Sequence, residues 1–178
     1  RKELDTGLSA WNLAMGSQEL YDWLDAEPQL FHPGDLDYIH SVERISKLSN
    51  VISINGGVQL DLMGQENAES TGTRQLSGVG GQMDFLEGAY RSKGGKGFIC
   101  INSSRVTKDG ERKSNILATI PGGSTISAPR TMIQYVATEY GIASLSGKTL
   151  RERAEAMASI AHPDFREELM KYAQENFK

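Results

Sequence analysis

The sequence predicts an α/β fold, a largely parallel or mixed sheet flanked by helices. Two observations predict it. Short apolar runs alternate with segments of helical periodicity from the first residues onward, which is the pattern of strand–helix–strand units. One of those runs, Gly97-Phe98-Ile99-Cys100-Ile101, has no polar face, as suits a strand at the centre of a sheet.

A chain of 178 residues is enough for one domain with a real core, and residues 1–178 show no linker, repeat or low-complexity segment. Apolar residues make up 38%, and 19 glycines bring the total near the globular average, which argues against disorder. The formal charge is −4 with no long basic cluster, so nucleic acid is not expected as the main partner. The single cysteine excludes an internal disulfide framework and fits a reducing, cytoplasmic location. Cys100 itself reads as a buried structural thiol. No apolar run approaches the ~20 residues of a membrane span, and no signal peptide is visible. The chain opens on Arg1 rather than methionine, from which a processed or truncated piece is expected.

Leu8–Met15 reads as a mostly buried strand ending at Gly16. Ser17 then caps a helix with Leu20, Trp23 and Leu24 on one face, which stops before Pro28. Gln29–His32 is a short strand, Val42–Leu48 a short helix and Val51–Ile54 an apolar strand. Val58-Gln59-Leu60-Asp61-Leu62 alternates strictly, so one face is expected to be wet and the strand to pair with its predecessor or lie at an edge. Lys108-Asp109-Gly110-Glu111 marks a hairpin turn between Ser104–Thr107 and Asn115–Ile120, and Tyr135–Thr138 reads as another strand. Thr149-Leu150-Arg151-Glu152 is a capping box. The helix it opens carries Leu150, Ala154, Met157, Ala158 and Ala161 on one stripe. His162-Pro163 starts a last helix with Phe165, Leu169, Tyr172 and Ala173 inward.

The stretch with chemistry in it is Gly78-Val79-Gly80-Gly81, running into the helix-period segment from Gln82-Met83-Asp84 to Tyr90. Glycines leave no side chain between a ligand and the backbone amides, and the helix start adds orphan N–H groups and a positive dipole end. An anionic or carbonyl-like ligand fits such a loop; an ordinary tight turn shows the same pattern. The spacing matches neither Gly-x-Gly-x-x-Gly nor a P-loop, which excludes a nucleotide held in either familiar way.

Three blocks together carry a family resemblance: Val51–Asn55 with Val58–Gln65, Ser77–Phe85, and Val136–Ala143 running on to Ala161–Arg166. In order, across essentially the whole chain, they resemble the C-terminal half of the acetyl-CoA hydrolase/CoA-transferase family, especially 4-hydroxybutyrate and butyryl-CoA:acetate CoA-transferases. The resemblance implies a CoA-transferase-like domain, acyl-CoA and a short-chain carboxylate as substrates rather than a resident cofactor, and a homodimer. It also implies a glutamate nucleophile, a mixed anhydride and a glutamyl-CoA thioester, each step passing through an oxyanion. In relatives that glutamate lies upstream, before an Asp-Gly pair. Here the only Asp-Gly is Asp109-Gly110, downstream of the loop, so the nucleophile is expected in a missing N-terminal half. Glu66, Glu69, Glu87 and Glu139 have simpler structural readings.

By the same resemblance Gly78, Gly80 and Gly81 line the CoA and acyl site, with Gly80 and Gly81 as oxyanion donors and Gln82 at the acyl end. His40, in Tyr38-Ile39-His40 where relatives often have asparagine, is a catalytic candidate or an exposed loop histidine. Asn55 offers an amide to the ligand or stabilises its own loop. Lys93 and Lys96 meet the CoA phosphates or are merely solvated. Asp84 and Glu87 read as dipole partners of the helix. No His, Cys and carboxylate spacing suggests a metal. The rival functions are hydrolysis, with water replacing the acceptor, and a non-catalytic CoA-binding or dimerisation module.

Overall fold

The structure, a computed structural model, describes residues 2–177, so the reading drawn from Arg1 lies outside the described residues. At the N-terminal end β1 (Ser9–Trp11) and β2 (Phe31–Pro33) pair in parallel, joined by α1 (Gln18–Ala26). Leu8–Met15 departs from its expectation. Only three of its residues are strand, and Leu13 and Met15 are 69% and 79% exposed. A two-stranded ribbon has too little surface to cover both the run and the helix. Accordingly no residue of α1 is buried, Ser17 makes no side-chain cap bond, and Trp23 only meets Phe31 edge-on at 4.9 Å.

Two short helices follow. α2 (Leu36–Ile39) has no counterpart in the sequence reading and is capped by Asp35, whose carboxylate accepts from the Tyr38 amide at 3.1 Å. α3 (Val42–Ser46) is capped by Ser41 in the same way. The chain then enters the main sheet as β3 (Ile52–Gly56) and leaves it through β4 (Gln59–Asp61), β5 (Glu66–Asn67), β6 (Ser70–Thr71) and β7 (Arg74–Gln75). After α4 (Gln82–Arg91) it returns as β8 (Lys96–Cys100). The hairpin of β9 (Ser104–Val106) and β10 (Arg112–Ser114) turns at Asp109-Gly110 as expected, and β11 (Ile116–Leu117) follows it. β12 (Tyr135–Thr138) and β13 (Gly141–Ser144) complete the sheet before α5 (Leu150–Ser159) and α6 (Pro163–Asn176).

The main sheet has the order β13-β12-β8-β3. β3, β8 and β12 run parallel, and β13 turns back antiparallel, so the sheet is mixed and β8 is central. β4 belongs elsewhere, in a sheet ordered β11-β4-β5. Its expected wet face is absent: Gln59, Leu60 and Asp61 are all buried. Asp61 alternates with apolar neighbours because it is an internal acceptor, taking the Met63 and Gln65 amides at 3.0 and 2.9 Å and the Gln65 side chain at 2.6 Å.

The core lies on one face of the main sheet. Ile99 of β8 and Val136 of β12 meet Leu86 of α4, Met157 of α5 and Leu169 of α6, with Leu60 and Ile116 arriving from the second sheet. The other face is uncovered, and Ile52, Ile54 and Ile142 stand 51%, 70% and 64% exposed. Cys100 points to that face and is exposed, against the buried thiol expected of it. The capping box of α5 is complete: the Glu152 amide donates to Thr149 Oγ1 at 3.3 Å and the Thr149 amide to Glu152 Oε2 at 2.7 Å. Leu150, at the helix start, is 42% exposed and outside the stripe it was expected to join. Arg153 is buried and donates to the carbonyls of Met63, Leu145 and Arg130 at 2.8, 2.8 and 2.7 Å. His162 and Pro163 open α6, with Leu169 and Ala173 buried as expected.

Candidate active site

The glycine stretch is an exposed loop ending in the N-cap of α4, Gly81. Gly80 sits at φ +61°, in the left-handed region that glycine enters without cost. The backbone bonds of the segment stop on either side of it. Leu76 and Ser77 donate to the Glu69 carbonyl, and donation resumes with Phe85, to Gly81. Among the described residues, the amides of Gly78 through Asp84 have no protein acceptor. That is the row of orphan donors at a helix N-terminus, extended backward by a loop that nothing shields.

The loop faces a cavity of about 540 Å³ lined by His40, Gly80, Gly81 and Asp84, with Leu36 and Ser41 beside them. α2 delivers His40 there, as its C-terminal cap. The ring is held on three sides: Asn12 Nδ2 lies 3.2 Å from Nε2, Asp84 Oδ2 lies 3.4 Å from Nδ1, and the Phe85 ring packs at 5.0 Å. With Asn12 donating, Nε2 carries the lone pair and Nδ1 the proton turned toward Asp84. A β-carbon on Gly81 would overlap the imidazole, so any side chain at this position has to displace the His40 ring.

Gln82 does not join this cavity wall. It is buried, 8% exposed, and its amide Nε2 donates to Glu66 Oε2. Glu66 is fully buried, and burial pushes its carboxyl up to about 7, outweighing the opposing effect of the Gln82 bond. Nothing in the Gln65-Glu66-Asn67 sequence signals this. The burial comes from residues distant in the chain.

The remaining candidates separate. Asn55 is near the C-terminal end of β3, where its amide donates to Ser53 Oγ at 2.8 Å and to the Phe98 carbonyl at 3.4 Å. Gly78 stands in the open loop. Lys93 and Lys96 follow the C-terminal end of α4, and a ten-residue helix places them ~15 Å from the loop. Of the acidic side chains, Glu87 pairs with Arg91, and Glu139 accepts from the Ser103 amide and hydroxyl at 2.9 and 2.6 Å. Glu69 is buried beneath the loop entry.

Residues 16–173 match the acetyl-CoA hydrolase/transferase C-terminal domain. The chain belongs to that family. Within it, the chain is 43% identical over 174 residues to the butyryl-CoA:acetate CoA-transferase of Anaerostipes caccae, covering 98% of this chain and 39% of that protein. The crystal structure of RipA from Yersinia pestis superposes with a TM-score of 0.86 at 39% identity, over 98% of this chain and 38% of that one. The 4-hydroxybutyrate CoA-transferase of Porphyromonas gingivalis does so with a TM-score of 0.79 at 38% identity, over 99% and 39%. The mixed α/β architecture is therefore that of CoA-transferase C-terminal domains. The chain spans about two fifths of the length of the relatives it matches. No helix among the described residues of this acetyl-CoA hydrolase/transferase domain is long and apolar enough to cross a membrane.

Proposed function

We propose that this chain, residues 1–178, is a single domain forming the CoA- and oxyanion-binding side of an acyl-CoA:carboxylate CoA-transferase. The nucleophilic glutamate comes from a preceding half of the longer protein. That glutamate attacks the thioester carbon, the C–S bond breaks, and a mixed anhydride and CoA thiolate form. The thiolate attacks the glutamyl carbonyl, releasing the first carboxylate and leaving glutamyl-CoA. A short-chain acceptor carboxylate takes the CoA by the same steps in reverse.

Each step places a negative charge on a carbonyl-derived oxygen, and preorganised N–H donors stabilise that charge. The observation that carries the reading is the row of unpartnered amides from Gly78 to Asp84, of which Gly80, Gly81 and Asp84 border the cavity at His40. In this reading Gly80 and Gly81 are the oxyanion donors, and Gly78 and the backbone of Gln82 flank the acyl end, the Gln82 side-chain nitrogen being turned to Glu66. His40 offers a carboxylate its Nδ1–H only by leaving Asp84, and Asn55, whose NH2 is taken by Ser53 and Phe98, retains its side-chain oxygen at the strand end. Lys93 and Lys96 enter only as contacts for the phosphates of an extended CoA. A cytoplasmic homodimer belongs to the same proposal, and the free thiol of Cys100 fits a reducing compartment.

The test is CoA exchange between an acyl-CoA and acetate, measured on this chain joined to the glutamate-bearing half. Gly80→Val, at a φ a β-branched residue does not adopt, is expected to lower exchange by ~100-fold or more while the circular dichroism spectrum is kept. A fully active variant removes the loop from the mechanism. Thioester loss to water without transfer to acetate assigns the same amides to hydrolysis, and exchange by this chain alone overturns the external nucleophile.

A further inference from the structure

Glu66 is a polar group the proposed chemistry does not use, and its surroundings are unusual. β5 is pinned on both sides: Leu60 is its partner on β4, and the Glu66 amide and carbonyl bond to Ala128 and Ser127. The side chain is thereby directed inward, toward Gly57, Ile99 and Ile101. A β-carbon on Gly57 would lie 2.7 Å from Glu66 Oε1 and 3.0–3.1 Å from the methyls of those two isoleucines. Oε1 is buried with no hydrogen-bond partner, and Oε2 meets the amide of Gln82, the first residue of α4. The glycine loop is therefore tied to the sheet through one carboxyl–amide pair.

Such a pair can switch between two arrangements. A carboxylate can only accept, so it draws the NH2 of Gln82 and turns the amide carbonyl outward. A carboxylic acid donating from the same oxygen needs an acceptor, so it draws the carbonyl and frees the NH2. We propose that Glu66 is a positioning residue for the loop: through Gln82 it holds the first turn of α4, and with it the free amides of Gly80 and Gly81, and the arrangement set by the acid form is the one that meets an acyl oxygen or acceptor carboxylate. The cost of an unpaired anionic oxygen among isoleucines favours the acid, and burial places its titration near neutral pH. The other titratable or charged groups on the surrounding elements are Asp61 on β4, Glu69 beyond β5, His40 at the loop, Asp84, Glu87, Tyr90 and Arg91 on α4, Lys96 and Cys100 on β8, and Arg130 after Ala128. Among the described residues none of them bonds to or pairs with this carboxyl. The inference rests on the loop being the oxyanion side, and its physical core can be measured without turnover.

The experiment follows the nitrogen-15 and proton resonances of the Gln82 side-chain amide in this chain as pH is raised. They are expected to move in one step with a midpoint near 7, and to stay fixed in Glu66→Gln, whose uncharged amide can also donate to the Gln82 carbonyl. In the protein carrying the glutamate-bearing half, wild-type exchange should fall about tenfold per pH unit above that midpoint, with the KM for the acceptor carboxylate rising. Glu66→Gln should hold its activity there. Gln82 resonances indifferent to pH in the wild type, or shifting equally in Glu66→Gln, overturn the proposal. Absence of exchange at every pH sinks the transferase reading instead, while the amide titration still decides the role of Glu66.

Discussion

The imidazole of His40 stands where a side chain on Gly81 would have to be. One contact thus joins the turn after α2 to the start of α4, and it makes the shape of the cavity depend on both residues. Gly81→Ala is expected to displace His40 from Asn12 and Asp84 and to lower CoA exchange ~10–100-fold in the full protein, with the fold retained. Adding His40→Ala removes the overlap, so the double variant should be less impaired than the sum of the two single changes. A kinetic double-mutant cycle measures this.

Stability should depend on pH through Glu66. Its carboxyl goes from the ordinary 4.5 to about 7 on folding, so between those values the folded chain holds a proton the unfolded chain has released. The contribution is full below about pH 4.5 and is lost as pH rises to about 7, a change of ~3 kcal/mol at ~1.4 kcal/mol per unit. Glu66→Gln removes this slope. Urea unfolding at about pH 5 and about pH 8 compares the two proteins directly.

Arg153 satisfies three carbonyls from inside the protein. Arg153→Leu leaves all three without that donor and is expected to cost ~3 kcal/mol or more, lowering the urea midpoint without changing its slope.

The α5 cap is exposed and distant from the glycine loop in the chain. Thr149→Ala should cost ~1 kcal/mol in the same measurement and leave exchange unchanged.

What could be read from the chain was local. The glycine loop and its helix, the capping box at Thr149 and Glu152, the Pro163 start and the central strand all rest on neighbours within a few residues. Partners far away in sequence were not legible. The alternation at Gln59 and Asp61 looks the same for a wet face and for a carboxylate folded back onto its own turn. Cys100 looked buried because its run is apolar, but whether the outer face of a sheet is covered is not written in the strand. Lys93 and Lys96 are close to the loop in sequence and a helix length away in space. Glu66 sits among polar neighbours, and its burial depends on Gly57, Ile99 and Gln82.

The order β13-β12-β8-β3 bears on how the molecule assembles. Only β12 and β13 meet through a tight reversal; β3 with β8, and β8 with β12, must each close over roughly forty residues of intervening polypeptide. Loop-closure entropy is spent there before any ladder forms, so the rate-limiting step of folding should be the docking of β8 between its two parallel neighbours, on a millisecond or slower scale. The terminal hairpin can form early by itself, but it cannot template the rest until that central strand arrives.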